Sequence, residues 1–515
     1  MSAGAPALPA RQFLRWAWRQ LTSMRTALLL LLLLAVAAVP GSFIPQSKVD
    51  PLAVATFTDR HPTLTPVFDR LGLFSVYSSP WFSAVYLLLM ISLIGCIIPR
   101  TAVYLRAFQA RPPPAPRNFG RLPASASFVT DRPVADILGS ARQVLQAERY
   151  RVDVDDGTLR AQKGYLREAG NLLFHSCLVV VLIGVAVGSL VGYTGGVIVT
   201  EGEGFSNTLT QYDEFSAGGL FDATDLPPFS LQLDSLRADF QLDGPQRGAP
   251  RFFSASGDYT ARPGDDPTPF EIQVNHPLKI DGTSIFLVGQ GYAPVVSVRD
   301  GDGDLVYSGA VPFLPADASY TSNGVIKAPD AEPAQLGFEG FFLPTAVVGA
   351  DGVPFSAFPA AAEPVLGLFA FRGDLGLDDG RPQSVYVLDR DRLRQFTGDE
   401  GKPLRLLLQP GDSASLPGGY GTISFDGLRQ FAKFQISASP GNSVPLVAGV
   451  LAIAGLVMSL TIRPRRVWVR ARVEDGQTVV GVARLDRMSG ADLGNDVATL
   501  VGSLQTDDKP RQRIS

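Results

Sequence analysis

Leu172 to Val191 reads LLFHSCLVVVLIGVAVGSLV, twenty residues with no aspartate, glutamate, lysine or arginine. About 20 mostly apolar residues are needed for a helix to cross the roughly 30 Å hydrocarbon core of a bilayer. Buried helices of soluble domains are seldom so long and so free of polar faces, so this run predicts a membrane span. Three further runs share the property: Thr26 to Ile44, Trp81 to Ile98 and Val444 to Ile462. The first is longer than the 7–15-residue core of a signal peptide and lacks a clear A-x-A site, so it is expected to stay as an anchor.

The flanks orient the spans. Arg11, Arg15, Arg19 and Arg25 precede the first, and Arg100, Arg106, Arg111, Arg117 and Arg121 follow the second. Lys163 and Arg167 precede the third, and Arg463, Arg465, Arg466 and Arg470 follow the fourth. The positive-inside rule puts all four clusters in the cytoplasm, with Arg465 and Arg466 as orientation anchors. The stretch from Gly192 to Asn442 is then outside. It carries 16 Lys+Arg against 32 Asp+Glu, a net of −16, while the rest of the chain carries 29 against 17, a net of +12. This segregation agrees with the topology without having been used to derive it.

The expected fold class is a polytopic α-helical membrane protein of four spans, with a large extracytoplasmic all-β domain and a small cytoplasmic βαββ module. Along the chain this gives a cytoplasmic start (1–25), a span (26–44), a short outer loop (45–80), a span (81–98) and the cytoplasmic module (99–171). A span (172–191), the β domain (192–443), a span (444–462) and a cytoplasmic tail (463–515) follow. The cytoplasmic (cell) membrane is the expected location, with both termini in the cytoplasm.

Composition narrows the function classes. At 515 residues, with 46% apolar and 18% charged residues, the chain suits about three units and is too poor in charge for a disordered protein or a nucleic-acid binder. The module reads as a Pro-rich linker (Arg111 to Pro116), a strand (Ala124 to Thr130), a helix (Val134 to Glu148) and a hairpin (Tyr150 to Val154, Thr158 to Gln162). The tail reads as a hairpin, Trp468 to Val473 and Thr478 to Leu485, with a helix over Ala491 to Gln505. Outside, short alternating runs predict a sandwich or barrel. They are Phe229 to Leu233, Phe270 to Val274, Thr283 to Val288, Val295 to Val298, Ser384 to Leu388, Leu404 to Leu408 and Thr422 to Phe425. Between Tyr320 and Gly380 no pairing is readable.

Several motifs fail on inspection. Asp300-Gly301-Asp302-Gly303-Asp304 has Leu305 and Val311 where a calcium loop needs glycine and an acid, so a tight turn is expected. Gly202-Glu203-Gly204 has Asn207 in place of the third glycine of a dinucleotide fingerprint. The two cysteines, Cys96 and Cys177, form no C-x-x-C and read as lipid-facing or core fillers.

Of three histidines, His61 sits in a connector and His276 at a strand-end turn. His175 lies four positions into the third span with no acidic neighbour close in sequence. A polar group in hydrocarbon marks either a hydrogen bond between helices or a functional site, and imidazole is a good ligand for haem iron. Both readings stay open on the residues alone. Cys177, two residues on, is about 200° around the helix and does not share its face. Trp16, Trp18, Trp81 and Trp468 fall near the span ends, where tryptophan anchors at the interface.

The chain resembles the ResB (CcsB) family of cytochrome c maturation proteins, the System II pathway. The resemblance rests on Leu21-Thr22-Ser23-Met24-Arg25-Thr26-Ala27 entering the first span and Gly41-Ser42-Phe43-Ile44-Pro45-Gln46 leaving it. It continues with Lys163-Gly164, Gly170-Asn171-Leu172-Leu173-Phe174-His175, Val274-Asn275-His276-Pro277-Leu278, Gly282 and Tyr292-Ala293-Pro294. Ser439-Pro440-Gly441-Asn442 and Arg465-Arg466-Val467-Trp468 close it, so it covers nearly the whole length.

The resemblance implies a ResC/CcsA-like membrane partner, with which haem b is held transiently and delivered to apocytochrome c outside the membrane. It implies that His175 matches the family's intramembrane histidine and is the candidate axial ligand of haem iron. It implies no catalytic residue in this chain alone, which would be a subunit of a cytochrome c synthase complex. The lipid bilayer is the other expected partner; nucleic acid is not one. Two other readings stand beside this one: a membrane scaffold for the partner and apocytochrome without haem contact, and an unrelated membrane-anchored sensor or transport accessory.

Overall fold

The computed structural model describes residues 9–47, 51–109, 111–350, 352–377, 385–398, 401–486 and 493–506. The chain forms two compact units, one of Met1–Ala186 with Gly441–Ser515 and one of Val187–Pro440.

The first unit opens with α1 (Ala10–Leu21), in a stretch expected only as a cytoplasmic start. Arg11, Arg15 and Arg19 run along one side and Phe13, Leu14, Ala17 and Leu21 along the other, the pattern of a helix that lies at a bilayer surface. Ser23 then caps α2 (Met24–Phe43), its hydroxyl accepting from the Thr26 N–H. Two short helices, α3 (Pro51–Arg60) and α4 (Thr65–Arg70), lead to α5 (Pro80–Gln109). Buried Gln46 pins this connection. Its amide N–H group donates to the carbonyls of Ile44 and Leu73, and its amide oxygen accepts from the Val76 N–H.

α5 continues about three turns past Ile98, through Pro99. The end of an apolar run marks where a helix leaves hydrocarbon, not where its backbone hydrogen bonding stops. After α6 (Val134–Ala147), α7 (Leu166–Val191) likewise starts six residues before Leu172. α8 (Ser443–Thr461) is the fourth long apolar helix and α9 (Leu493–Thr506) ends the described chain.

α7 and α8 cross with their backbones in near contact. A Cβ on Gly170 would lie 2.7 Å from the Gly455 carbonyl oxygen, and one on Gly455 would lie 2.8 Å from that of Gly170. Ala448, Ala452 and Gly455 thus form the small-residue stripe on which membrane helices pack closely. Cys177 is buried with Ala448 and Ala452, so it fills a helix–helix contact.

The strand–helix–hairpin order of the small module is present, as Ala124–Thr130, α6, Arg151–Asp155 and Thr158–Lys163. It is not a separate body, however. The tail hairpin, Arg465–Glu474 and Gln477–Asp486, inserts between its strands. The resulting antiparallel order is 124–130, 477–486, 465–474, 158–163, 151–155. Ile137 and Leu145 of α6 and Val497 and Leu504 of α9 bury the same sheet face as Leu159, Val469, Val480 and Val482. The βαββ unit alone would leave a gap between its first and third strands, which the tail fills.

The second unit is all β, built on two 17-residue strands, Thr283–Arg299 and Thr422–Ala438, paired along their length. Ile285, Leu287, Phe434 and Ile436, near one end of this ribbon, enter a core with a four-stranded sheet. Val296, Val298, Ile423 and Phe425, near the other, enter a core with a six-stranded sheet. The expected all-β region is present, and of the sandwich and barrel alternatives it takes the form of two sandwich-like layers that share one sheet.

Of the expected run Ser384 to Leu388, position 384 lies outside the described residues and 385–388 form no strand. Val385 and Val387 are exposed and Leu388 is buried, while the Tyr386 hydroxyl donates to Asp213 at 3.3 Å. A loop that buries alternate side chains copies strand alternation without a ladder. Conversely, the unreadable stretch contains Ser322–Ala328, Leu336–Leu343 and Val365–Gly373, consecutive strands of the six-stranded sheet. Their alternation is broken by glycines in close contact: a Cβ on Gly340 would sit 1.8 Å from the Gly367 carbonyl oxygen. The Asp300 turn is as expected. Its carboxylate accepts from the N–H groups of Asp302, Asp304 and Glu332 at 3.0–3.2 Å.

Candidate functional site

Within the first unit, α2, α5 and α7 line an open cavity of about 1160 Å³. That exceeds the roughly 300–1,000 Å³ of an ordinary small-molecule site. Its walls are apolar along most of their length, with Leu28, Leu31 and Leu34 of α2, Leu89 and Leu93 of α5, and Leu178, Val181 and Leu182 of α7. Polar residues gather near the sheet-bearing ends of the helices. They include Arg100, Arg111, Arg167 and Arg466, with Glu168 as the one carboxylate.

α7 presents Glu168, Asn171, His175, Leu178 and Leu182 to the cavity, a spacing of three, four, three and four that keeps one helical face. The sequence reading assigned His175 no nearby carboxylate. Glu168, seven residues earlier, shares its face about two turns away.

The His175 Nδ1 lies 2.8 Å from the carbonyl oxygen of Asn171, one turn back in the same helix. A carbonyl only accepts, so Nδ1 carries the proton, and in the neutral ring Nε2 keeps the lone pair. Backbone hydrogen bonds of this kind fix the orientation of ligating imidazoles. The Phe174 ring stands edge-on to it, with centroids 5.1 Å apart. Among the described residues, His175 makes no hydrogen bond to another helix.

The two cysteines are placed differently. Cys177 packs toward α8, away from the cavity face, as the 200° separation requires. Cys96 borders the cavity and its thiol donates to the Thr22 carbonyl at 2.8 Å. Arg100 and Arg167 reach Met24 Sδ (3.7 Å) and the Ser459 carbonyl (3.2 Å).

His61 packs its ring 4.7 Å from Phe57 in the connector. His276 stays at an exposed turn, after Asn275 in the left-handed region (φ 67°). Among the described residues no group of three or more His, Cys, Asp or Glu could hold a bare metal ion. The site offers one imidazole nitrogen, apolar walls and guanidinium groups. That set suits a large flat apolar molecule with acidic substituents and an electrophilic centre.

The arginines are the part that sequence reasoning missed, because each had been read as a topological flank. A helical signal was there: Arg167, Glu168 and Asn171 lie within one face of His175.

The model of the ResB-like family matches residues 24–498. The chain is 27% identical over 315 residues to a cytochrome c biogenesis protein CcsB of Synechococcus sp. (strain JA-2-3B'a(2-13)), covering 57% of this chain and 64% of that one. It is 27% identical over 283 residues to CcsB of Trichormus variabilis (53% and 58%), and 28% identical over 285 residues to CcsB of Synechococcus elongatus (53% and 58%). The matched stretch thus spans less than two thirds of each of these relatives.

Proposed function

This chain belongs to the ResB-like family, and from that premise we propose that it is a cytochrome c biogenesis protein that takes part in handling haem b at the membrane. The observation that carries the reading is His175, whose Nδ1 is committed to its own backbone while Nε2 remains available in an apolar cavity. Haem brings an iron that takes axial nitrogen ligands and an apolar ring with two carboxylates. His175 would supply one axial nitrogen. Arg100, Arg167 and Arg466 would pair with the carboxylates, since guanidinium forks suit them. The apolar walls would keep water from the bound molecule.

In this reading the chain works with a ResC/CcsA-like protein and apocytochrome c, and completes no bond-forming step alone. The all-β unit faces outside and the small sheet domain faces the cytoplasm. The unit's acidic excess would favour approach of basic partners. In a background with Cys96 and Cys177 replaced, an impermeant thiol reagent applied to intact cells should label Asp302→Cys and spare Asp136→Cys. The opposite pattern would overturn the topology.

The functional test is deletion and complementation. A strain without this chain should lack c-type cytochromes, and the intact chain should restore them. Normal c-type cytochromes in the deletion strain would refute the role. If the strain lacks them but His175→Gln restores them fully, a scaffold without haem contact is the better account.

A further inference from the structure

A second pocket, of about 490 Å³, lies where the first turn of α7 meets the end of α8. It adjoins the cavity around His175, with Gly164 and Tyr165 bordering both, but holds none of that cavity's histidine or carboxylate. Arg149, Lys163, Arg463 and Arg465 line it, with no acidic residue among its lining. We propose that it binds the phosphate of an anionic membrane lipid.

Three observations carry this. First, Lys163 and Arg465 are register partners on adjacent antiparallel strands. Like charges directly opposite one another destabilise a sheet, so the pair calls for an anion between or beside them. Buried Asp486 meets only part of the need, through Arg465 at 3.5 Å. Among the described residues Arg149, Lys163 and Arg463 have no carboxylate partner. Lys163 donates to the Glu148 carbonyl instead.

Second, the pocket is held by backbone. Gly164, at φ +79°, lies so close to the Arg463 carbonyl that a Cβ would come within 2.1 Å. The loops carrying Lys163 and Arg463 are thereby clasped together. Arg149 stands at φ 64°, where glycine or asparagine is the usual choice.

Third, the pocket opens at the end of a lipid-facing surface. Leu166, Val457 and Leu460 are exposed on α7 and α8. A phosphate among the cations would place acyl chains along those side chains. A free phosphate would have the cations but no use for this surface. Basic pockets beside membrane helices bind lipid headgroups in this manner.

The test uses the purified full chain in detergent and native mass spectrometry, with dioleoyl phosphatidylglycerol titrated against dioleoyl phosphatidylcholine. The wild type should prefer phosphatidylglycerol. Each cation near a charged headgroup is worth about fivefold, so Lys163→Gln with Arg463→Gln should lower that preference about 25-fold. Arg121→Gln, on the exposed linker, should leave it intact. An unchanged preference in the double variant, or none in the wild type, overturns the proposal. Displacement of the lipid by excess inorganic phosphate also overturns it, in favour of a soluble anion. Should the double variant not fold, exposed Arg149→Gln replaces it, with about a fivefold loss expected. No loss there would equally refute the site.

Discussion

The two units put their apolar residues to opposite uses. In the β unit, Phe338, Phe342, Phe425 and Phe434 are fully buried, and exposure falls to polar turns such as that of Asp300. On the apolar helices of the other unit, Leu29, Leu446 and Ile453 are 65–70% exposed, and at the α7–α8 crossing burial falls to glycine, alanine and cysteine. The difference is the solvent each surface meets. A helix in lipid gains little from hiding leucine, so close packing by small residues holds it, and polar side chains gather at the sheet-bearing ends of the helices.

The largest expected effect follows directly. Phe338→Ala should destabilise the β unit by about 3–5 kcal/mol, the usual range for deleting a buried phenylalanine. Leu446→Ala on α8 should change stability by less than about 0.5 kcal/mol. Denaturant unfolding of the full chain followed by near-ultraviolet circular dichroism measures both. Equal losses would erase the contrast.

Next is Gly455→Leu. The new side chain has backbone atoms in its way, so a loss of about 1–3 kcal/mol and less folded protein in the membrane are expected. Gly449→Leu on the same helix meets nothing within 4 Å and should accumulate normally. Membrane protein levels by immunoblot separate them. Equal levels would mean that the crossing does not hold the helices.

Arg466→Gln sharpens the comparison inside the helical unit. As a cavity residue it should leave topology intact and weaken haem retention about tenfold, the loss of one hydrogen bond to a charged group. Inverted topology with normal retention would return Arg466 to a plain anchor.

The smallest effect belongs to the Asp300 turn. Desolvation pushes this carboxyl up, but the backbone N–H groups of Glu332, Asp304 and Asp302 outweigh it and hold it below its ordinary 3.8. A depressed carboxyl contributes stability that is full above the unfolded value and lost as pH falls through the lower folded one. Asp300→Asn should therefore narrow the stability difference between pH 7 and pH 3. An unchanged acid profile would contradict this.

How legible each part was in the sequence follows from the range of the interactions. The four spans were legible because composition alone dictates them, although Arg100 and Arg167 lie in helix beyond the apolar runs. The Ala124–Thr130 strand and α6 were legible from local periodicity. The pairing of that strand with Gln477–Asp486 was not, since it joins residues some 350 positions apart and leaves no local trace. The strands around Gly340 and Gly367 were hidden because tight packing removes the side chains that alternation relies on. His175 stood out as the one histidine in a span. The arginines beside it did not, because the same charges satisfy the positive-inside rule.

The central claim is that the Nε2 of His175 ligates haem iron. The most direct measurement is the absorption spectrum of haem co-purified with His175→Gly, before and after imidazole is added. The glycine leaves a gap that free imidazole can fill, restoring an axial nitrogen without restoring the side chain. We predict that the variant loses the wild-type Soret position and that imidazole brings it back, while His175→Gln, which can hydrogen-bond but ligates iron poorly, stays altered. A wild-type spectrum in His175→Gln, or in His175→Gly before imidazole, would contradict the account.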